Sequence, residues 1–193
     1  MPILNLRAVS NPGHSIRRLL SACSWLALSC LLLGGDASAA SRIVPRKDAH
    51  SLSVGPAHVL ALRPDGGIVA WGNDAYHQCD VPVTNSGFVS VAAGFYHSMG
   101  LKVDGSIVAW GTDNLGQTNV PAPNSDFVSV AAGFYHSMGL KVDGSIVAWG
   151  SDNYGQTNVP APNSDFVAVA AGVHHSLGLK ADGSIVAWGF NDY

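Results

Sequence analysis

From residue 49 onward the apolar positions fall in short bursts and not along helical faces. In residues 88–126 the bursts are FVSVAAG (88–94), HSMGLKV (97–103) and SIVAWG (106–111). The first is apolar and β-branched and stops on a glycine, which predicts a strand. The second alternates and runs into Asp104-Gly105, which predicts a second strand and a two-residue hairpin turn. The third holds a continuous apolar run, Ile107, Val108, Ala109 and Trp110, the mark of a strand covered on both faces. NLGQTNVPAPNSD (114–126) then carries two prolines and an Asn-Ser-Asp cluster. It reads as a crossing loop with room for one short outer strand.

This pattern repeats. Trp71, Trp110, Trp149 and Trp188 are 39 residues apart, as are His58, His97, His136 and His175 and the Asp-Gly pairs at Asp65, Asp104, Asp143 and Asp182. Residues 88–126 and 127–165 differ at two positions only, Thr112 against Ser151 and Leu115 against Tyr154, the sign of a recent tandem duplication. The units run 49–87, 88–126, 127–165 and a truncated 166–193. Three to four short strands in a unit of about 40 residues predict an all-β fold of propeller blades. A β-solenoid competes, but its coils are shorter and have no hairpin in each.

The first forty residues differ from the rest. Arg17-Arg18, an apolar run from Leu19 to Leu33 and the small residues Ala37 and Ala39 are the parts of a secretory signal peptide over residues 1–39. Residues 40–48 then read as a linker, and the mature chain is expected to be exported to the periplasm, the cell surface or the medium. An uncleaved anchor is the weaker reading, because the run falls short of the ~20 residues that span a bilayer.

Composition narrows the function. The chain is 47% hydrophobic and 12% charged, with 22 glycines and no glutamate. From Ala40 onward 7 Lys and Arg face 12 Asp, a net charge of −5 that suits no phosphate backbone. Cys23 and Cys30 belong to the leader, and Cys79 is left alone at a position where the later units have Thr118 and Thr157. It reads as a small loop residue and not as a nucleophile.

The repeated histidines raise a metal site, but one per unit sets them a blade apart, whereas zinc needs three or four ligands converging at about 2 Å. A repeated hydrogen bond to a neighbouring loop is the better reading. Asp113 and Asp152 lack the dense oxygen ligands of a calcium loop and read as turn residues. No phosphate loop or nucleophile elbow is present, and Ser, His and Asp mostly recur with the period, whereas an active site is a unique constellation. No catalysis, metal or cofactor is expected.

Positions where the units disagree are the candidates for binding. After the repeat glycine stand Pro56-Ala57, Phe95-Tyr96, Phe134-Tyr135 and Val173-His174; five residues past each tryptophan stand Tyr76, Leu115, Tyr154 and Tyr193. Aromatic and apolar side chains in loops the blade does not need are those of a protein-binding face. The competing reading packs Phe95 and Tyr96 between blades.

Ala-Gly-x-x-His-Ser, Leu-x-x-Asp-Gly, Trp-Gly and Gly-Gln, recurring together over residues 49–193, closely resemble the repeat of the regulator of chromosome condensation family. The compact unit looks most like secreted bacterial relatives, among them the type II β-lactamase inhibitor protein. The resemblance implies a seven-bladed propeller, and in the inhibitor equivalent loop aromatics face the partner enzyme. With about four units, this chain is expected to be part of a longer propeller or to associate with another copy through open blade edges. The implied role is a non-catalytic scaffold that binds a protein partner and no nucleic acid. The alternative is guanine nucleotide exchange or chromatin association, as in the nuclear family member.

Overall fold

A computed structural model of the chain describes residues 52–191. The signal peptide read over 1–39, the linker 40–48, Cys23, Cys30 and Tyr193 lie outside those residues. The described residues belong to one compact unit, Arg42–Tyr193.

All the described elements are strands, grouped as four antiparallel three-stranded blades. Blade 1 holds β1 (Leu52–Val54), β2 (His58–Leu62) and β3 (Ile68–Gly72). Blade 2 holds β4 (Phe88–Ala93), β5 (His97–Lys102) and β6 (Ile107–Gly111). Blade 3 holds β7 (Phe127–Ala132), β8 (His136–Lys141) and β9 (Ile146–Gly150). Blade 4 holds β10 (Phe166–Ala171), β11 (His175–Lys180) and β12 (Ile185–Gly189). Each blade is a meander whose strands pair in chain order. First strands touch one another in the series β1, β4, β7, β10, so they line the axis of the propeller, and the ring does not close.

Three details differ from expectation. The hairpin turn has three residues, not two: Lys102 N bonds to Ser106 O at 2.8 Å, and Gly105 between them takes a left-handed φ of 81°. Asp104 Oδ1 accepts the Ser106 N–H at 2.9 Å, which secures the turn. The middle strands β5 and β8 are buried along both faces up to the terminal lysine, because the neighbouring blades sandwich them. The continuous apolar run is instead the outer strand, with Ile107 and Trp110 buried and Val108 and Ala109 half-buried.

Nor is there a fourth strand in the crossing loop of the described blades. Asparagine takes over its bonding: Asn124 Oδ1 accepts the Ile107 N–H at 2.7 Å and its Nδ2 donates to Ile107 O at 2.8 Å. Asn85 and Asn163 do the same for Ile68 and Ile146. One amide side chain thus satisfies both backbone groups of an edge residue and blunts the edge.

Cores lie between blades. Leu60 and Ile68 of blade 1 pack on Phe88, Val91, Ala93 and Trp110 of blade 2. The next two junctions repeat this arrangement with Met99, Leu101 and Ile107 against Phe127, Val130 and Trp149, and with Met138, Leu140 and Ile146 against Phe166 and Trp188. Blades 2 and 3 therefore each have an outgoing face of Leu, Met and Ile and an incoming face of Phe, Val, Ala and Trp. Glycine at the centre of the middle strand makes room for the phenylalanine: a methyl group on Gly139 would lie 2.5 Å from the Phe127 ring.

A polar circuit locks each junction. His97 Nε2 meets Ser137 Oγ at 2.9 Å, Ser137 Oγ donates to Gln117 O at 2.8 Å, and Trp149 Nε1 donates to the same carbonyl at 3.0 Å. Histidine and glutamine come from blade 2, serine and tryptophan from blade 3. The same set joins His58, Ser98, Gln78 and Trp110, and again His136, Ser176, Gln156 and Trp188. The repeated histidine thus makes a hydrogen bond, to a strand serine of the next blade and not to a loop.

Candidate interaction rim

Strand direction places two kinds of loop at one end of every blade: the bend between first and second strands, and the segment after the tryptophan strand. The Asp-Gly turns stand at the opposite end. The variable residues of the sequence therefore share one rim.

Within the rim the residues of each pair divide. Phe95, Phe134 and Val173, with Pro56, line a recess of about 230 Å³ where the first strands end around the axis. Tyr96, Tyr135 and His174 lean the other way, towards the loops after the tryptophans. Tyr76 of blade 1 meets Tyr96 of blade 2 at a ring separation of 4.3 Å, and Tyr154 of blade 3 meets His174 of blade 4 at 4.7 Å. Phe95 stacks on Phe134 at 3.9 Å, Tyr96 and Tyr135 stand 5.7 Å apart, and Phe134 meets Tyr135 at 4.5 Å. Phe134 stands 6.3 Å from His174, and these contacts together join the rim residues of four blades into one aromatic track.

Phe95, Tyr96, Phe134 and Tyr135 are each half-buried. Phe95 stacks on Phe134 across the junction of blades 2 and 3, and edge-on or tilted contacts hold Tyr96 and Tyr135 against their neighbours. Tyr76, Leu115, Tyr154 and Val173 are exposed. Neighbouring rings hold Tyr96 in place and push its hydroxyl pKa upward, burial being the larger cause. The Tyr96 hydroxyl therefore stays protonated over the physiological range.

Sequence comparison of the units missed one member of the track. Phe190 stacks edge-on against Tyr154 at 5.0 Å, yet it follows the last repeat tryptophan at a position otherwise filled by Asn73, Thr112 and Ser151. That departure from three small polar residues was the available signal.

The polar groups nearby act in turns. Asp113 Oδ1 accepts the Thr118 N–H at 3.0 Å, and Asp152 does the same for Thr157. Cys79 is a free thiol; burial first, then Asp74 and Asp80, raise its pKa, so it stays protonated and unreactive. Burial holds His97 at a pKa of about 3 and His136 at about 4, so both are neutral bonds of the frame. Among the described residues no three His, Cys, Asp or Glu side chains gather as a metal ion requires.

The family described as the regulator of chromosome condensation (RCC1) repeat matches residues 88–117, 127–156 and 166–193. No curated protein matches the chain. Among solved structures, yeast RCC1 (Prp20) bound to Kap60 is similar at 25% identity and a TM-score of 0.62, over 72% of this chain and 43% of that one. The CRINKLY WD40 ectodomain of the Arabidopsis thaliana receptor kinase ACR4 is similar at 29% identity and a TM-score of 0.58, over 72% and 49%. The ectodomain of the Physcomitrella patens receptor kinase CR4 is similar at 28% identity and a TM-score of 0.61, over 72% and 40%. This chain thus spans less than half the length of each. The matches carry the repeat family.

Proposed function

The chain belongs to the regulator of chromosome condensation repeat family, with blades 2, 3 and 4 matched, and on that premise we propose that it is a non-catalytic scaffold that binds a protein partner through its aromatic rim. The observation that carries this reading is the continuous track from Tyr76 to Phe190, built at positions where otherwise near-identical units diverge. Uniform blades preserve the frame, and variation at one end tunes recognition. Tyr and Phe offer large contact area with few rotatable bonds, so they are the usual anchors of such surfaces.

The protein works outside the cytoplasm. The leader read over residues 1–39 supports this, and two of the similar structures are receptor ectodomains. The partner is then an exported or surface protein, and inhibition of an extracellular enzyme is the finer form of this reading.

Pull-down from the secreted fraction of the source cells compares the chain with a variant carrying Phe95→Ala, Tyr96→Ala, Phe134→Ala and Tyr135→Ala. Loss of a specific band, with the β-sheet circular dichroism signal kept, is the expected outcome; equal capture by both proteins would overturn the rim as the contact surface.

A second reading follows from the likeness to yeast RCC1, whose structures concern binding to Kap60 and to Gsp1p and histones. In that case the chain would speed release of labelled guanine nucleotide from a small GTPase, and the acidic balance of the chain argues against it.

A further inference from the structure

The two open ends of the blade array carry the two halves of one junction. At the internal junctions Trp110 and Trp149 are 8% and 6% exposed, whereas Trp71, at the same place on blade 1, is 48% exposed. Ile68, Ile107 and Ile146 are at most 3% exposed, whereas Ile185 on blade 4 is 69% exposed. Around Trp71 stand the exposed Leu52 and Val54, the counterparts of Val91 and Ala93. Around Ile185 stand the exposed Leu179 and His175, the counterparts of the buried Leu101 and His97. One end is an incoming face and the other an outgoing face, and three internal junctions show how such faces fit.

We infer that the incoming face of blade 1 docks on the outgoing face of blade 4 of a second copy, head to tail. Each partner supplies a different patch, so the contact is heterologous. The side chains that meet are of the classes already packed at each internal junction: Leu, Ile and His from one blade against Trp and aliphatic residues from the next. Self-pairing of either face would set like against like, Trp71 on Trp71 or Ile185 on Ile185, with no such fit.

The polar circuit is not rebuilt there. Val59 stands where Ser98, Ser137 and Ser176 receive the histidine. His175 would therefore meet an aliphatic side chain. The junction between copies rests on apolar burial alone and is reversible with concentration, unlike the internal ones.

Sedimentation equilibrium of the full chain tests this. The mass is expected to rise with concentration towards two chains or more. Trp71→Asp and Ile185→Asp should each stay monomeric, and their equimolar mixture should return to twice the monomer mass, since each variant keeps the face the other has lost. Leu52→Lys and Leu179→Lys repeat the test at exposed positions of the same faces, and near-ultraviolet circular dichroism confirms packing in all four variants. A wild-type chain that is monomeric at every concentration overturns the inference. So do variants that associate like the wild type, or a mixture that stays monomeric in both pairs.

Discussion

The histidine circuit has one arrangement of protons. Ser137 Oγ donates to the Gln117 carbonyl, so its lone pair must receive from His97, and the imidazole carries its hydrogen on Nε2. That leaves Nδ1 of His58, His97 and His136 buried and without a hydrogen-bond partner among the described residues. Protonating it would bury a charge, and this burial is the main reason all three pKa values fall, only partly offset by Asp74 at His58 and Asp113 at His97. In the unfolded chain the same rings take up protons near pH 6.5. Below that value the unfolded state binds more protons, so stability is complete above it and declines as pH falls towards about 4 and about 3 for His136 and His97. Urea unfolding should give a lower midpoint at pH 5 than at pH 7.5, by roughly 1.4 kcal/mol per buried histidine for each pH unit below ~6.5. Ser137→Ala, which strands the His97 N–H, should cost about 1–3 kcal/mol in the same assay at pH 7.5. A pH-independent midpoint, or an unaltered Ser137→Ala protein, would refute the circuit.

At the scale of elements, position in the array decides the worth of a residue that recurs unchanged. Trp149 is clasped between blades with its indole N–H bonded, whereas Trp71 projects from the first blade. Trp149→Ala should cost about 3–5 kcal/mol. Trp71→Ala should cost less than half of that in dilute solution, since much of its surface is already in water. Thermal melts at low protein concentration would separate the two, and equal losses would contradict the assigned burial. The sequence pattern located these strands correctly, because apolar bursts bounded by Gly and Asp-Gly leave little choice of backbone. It misjudged which strand is covered: Gly100 and Gly139 look like interruptions of an alternating strand, yet they lie at the buried centre of the blade, beneath a phenylalanine ring. The three-residue turn and the asparagine clasp on Ile107 were also beyond the pattern, since both depend on distances across the chain.

Across the described residues as a whole, the outer faces of blades 1 and 4 differ from the faces packed at the internal junctions. Blade 1 departs from the others in two places, with Val59 for serine and Ala61 for the ring-seating glycine. Blade 4 keeps the full set of outgoing residues. The rim crosses all four blades, so binding through it depends on blade order being held rigid by the junctions. Weakening a junction by Ser137→Ala should therefore lower partner capture in the pull-down only under conditions where that variant begins to unfold.

The 39-residue period by itself determined the strands and the propeller class, because each repeated letter must satisfy the same local geometry four times over, and the motifs within it carried the family resemblance. Disagreement between the units also picked out most of the rim. Tertiary structure alone decided that the histidines face the next blade's serine, that Phe190 completes the aromatic track, and that identical tryptophans are buried at one place and bare at another. Those outcomes depend on which blade stands beside which, and a residue repeated without change carries no trace of its neighbours.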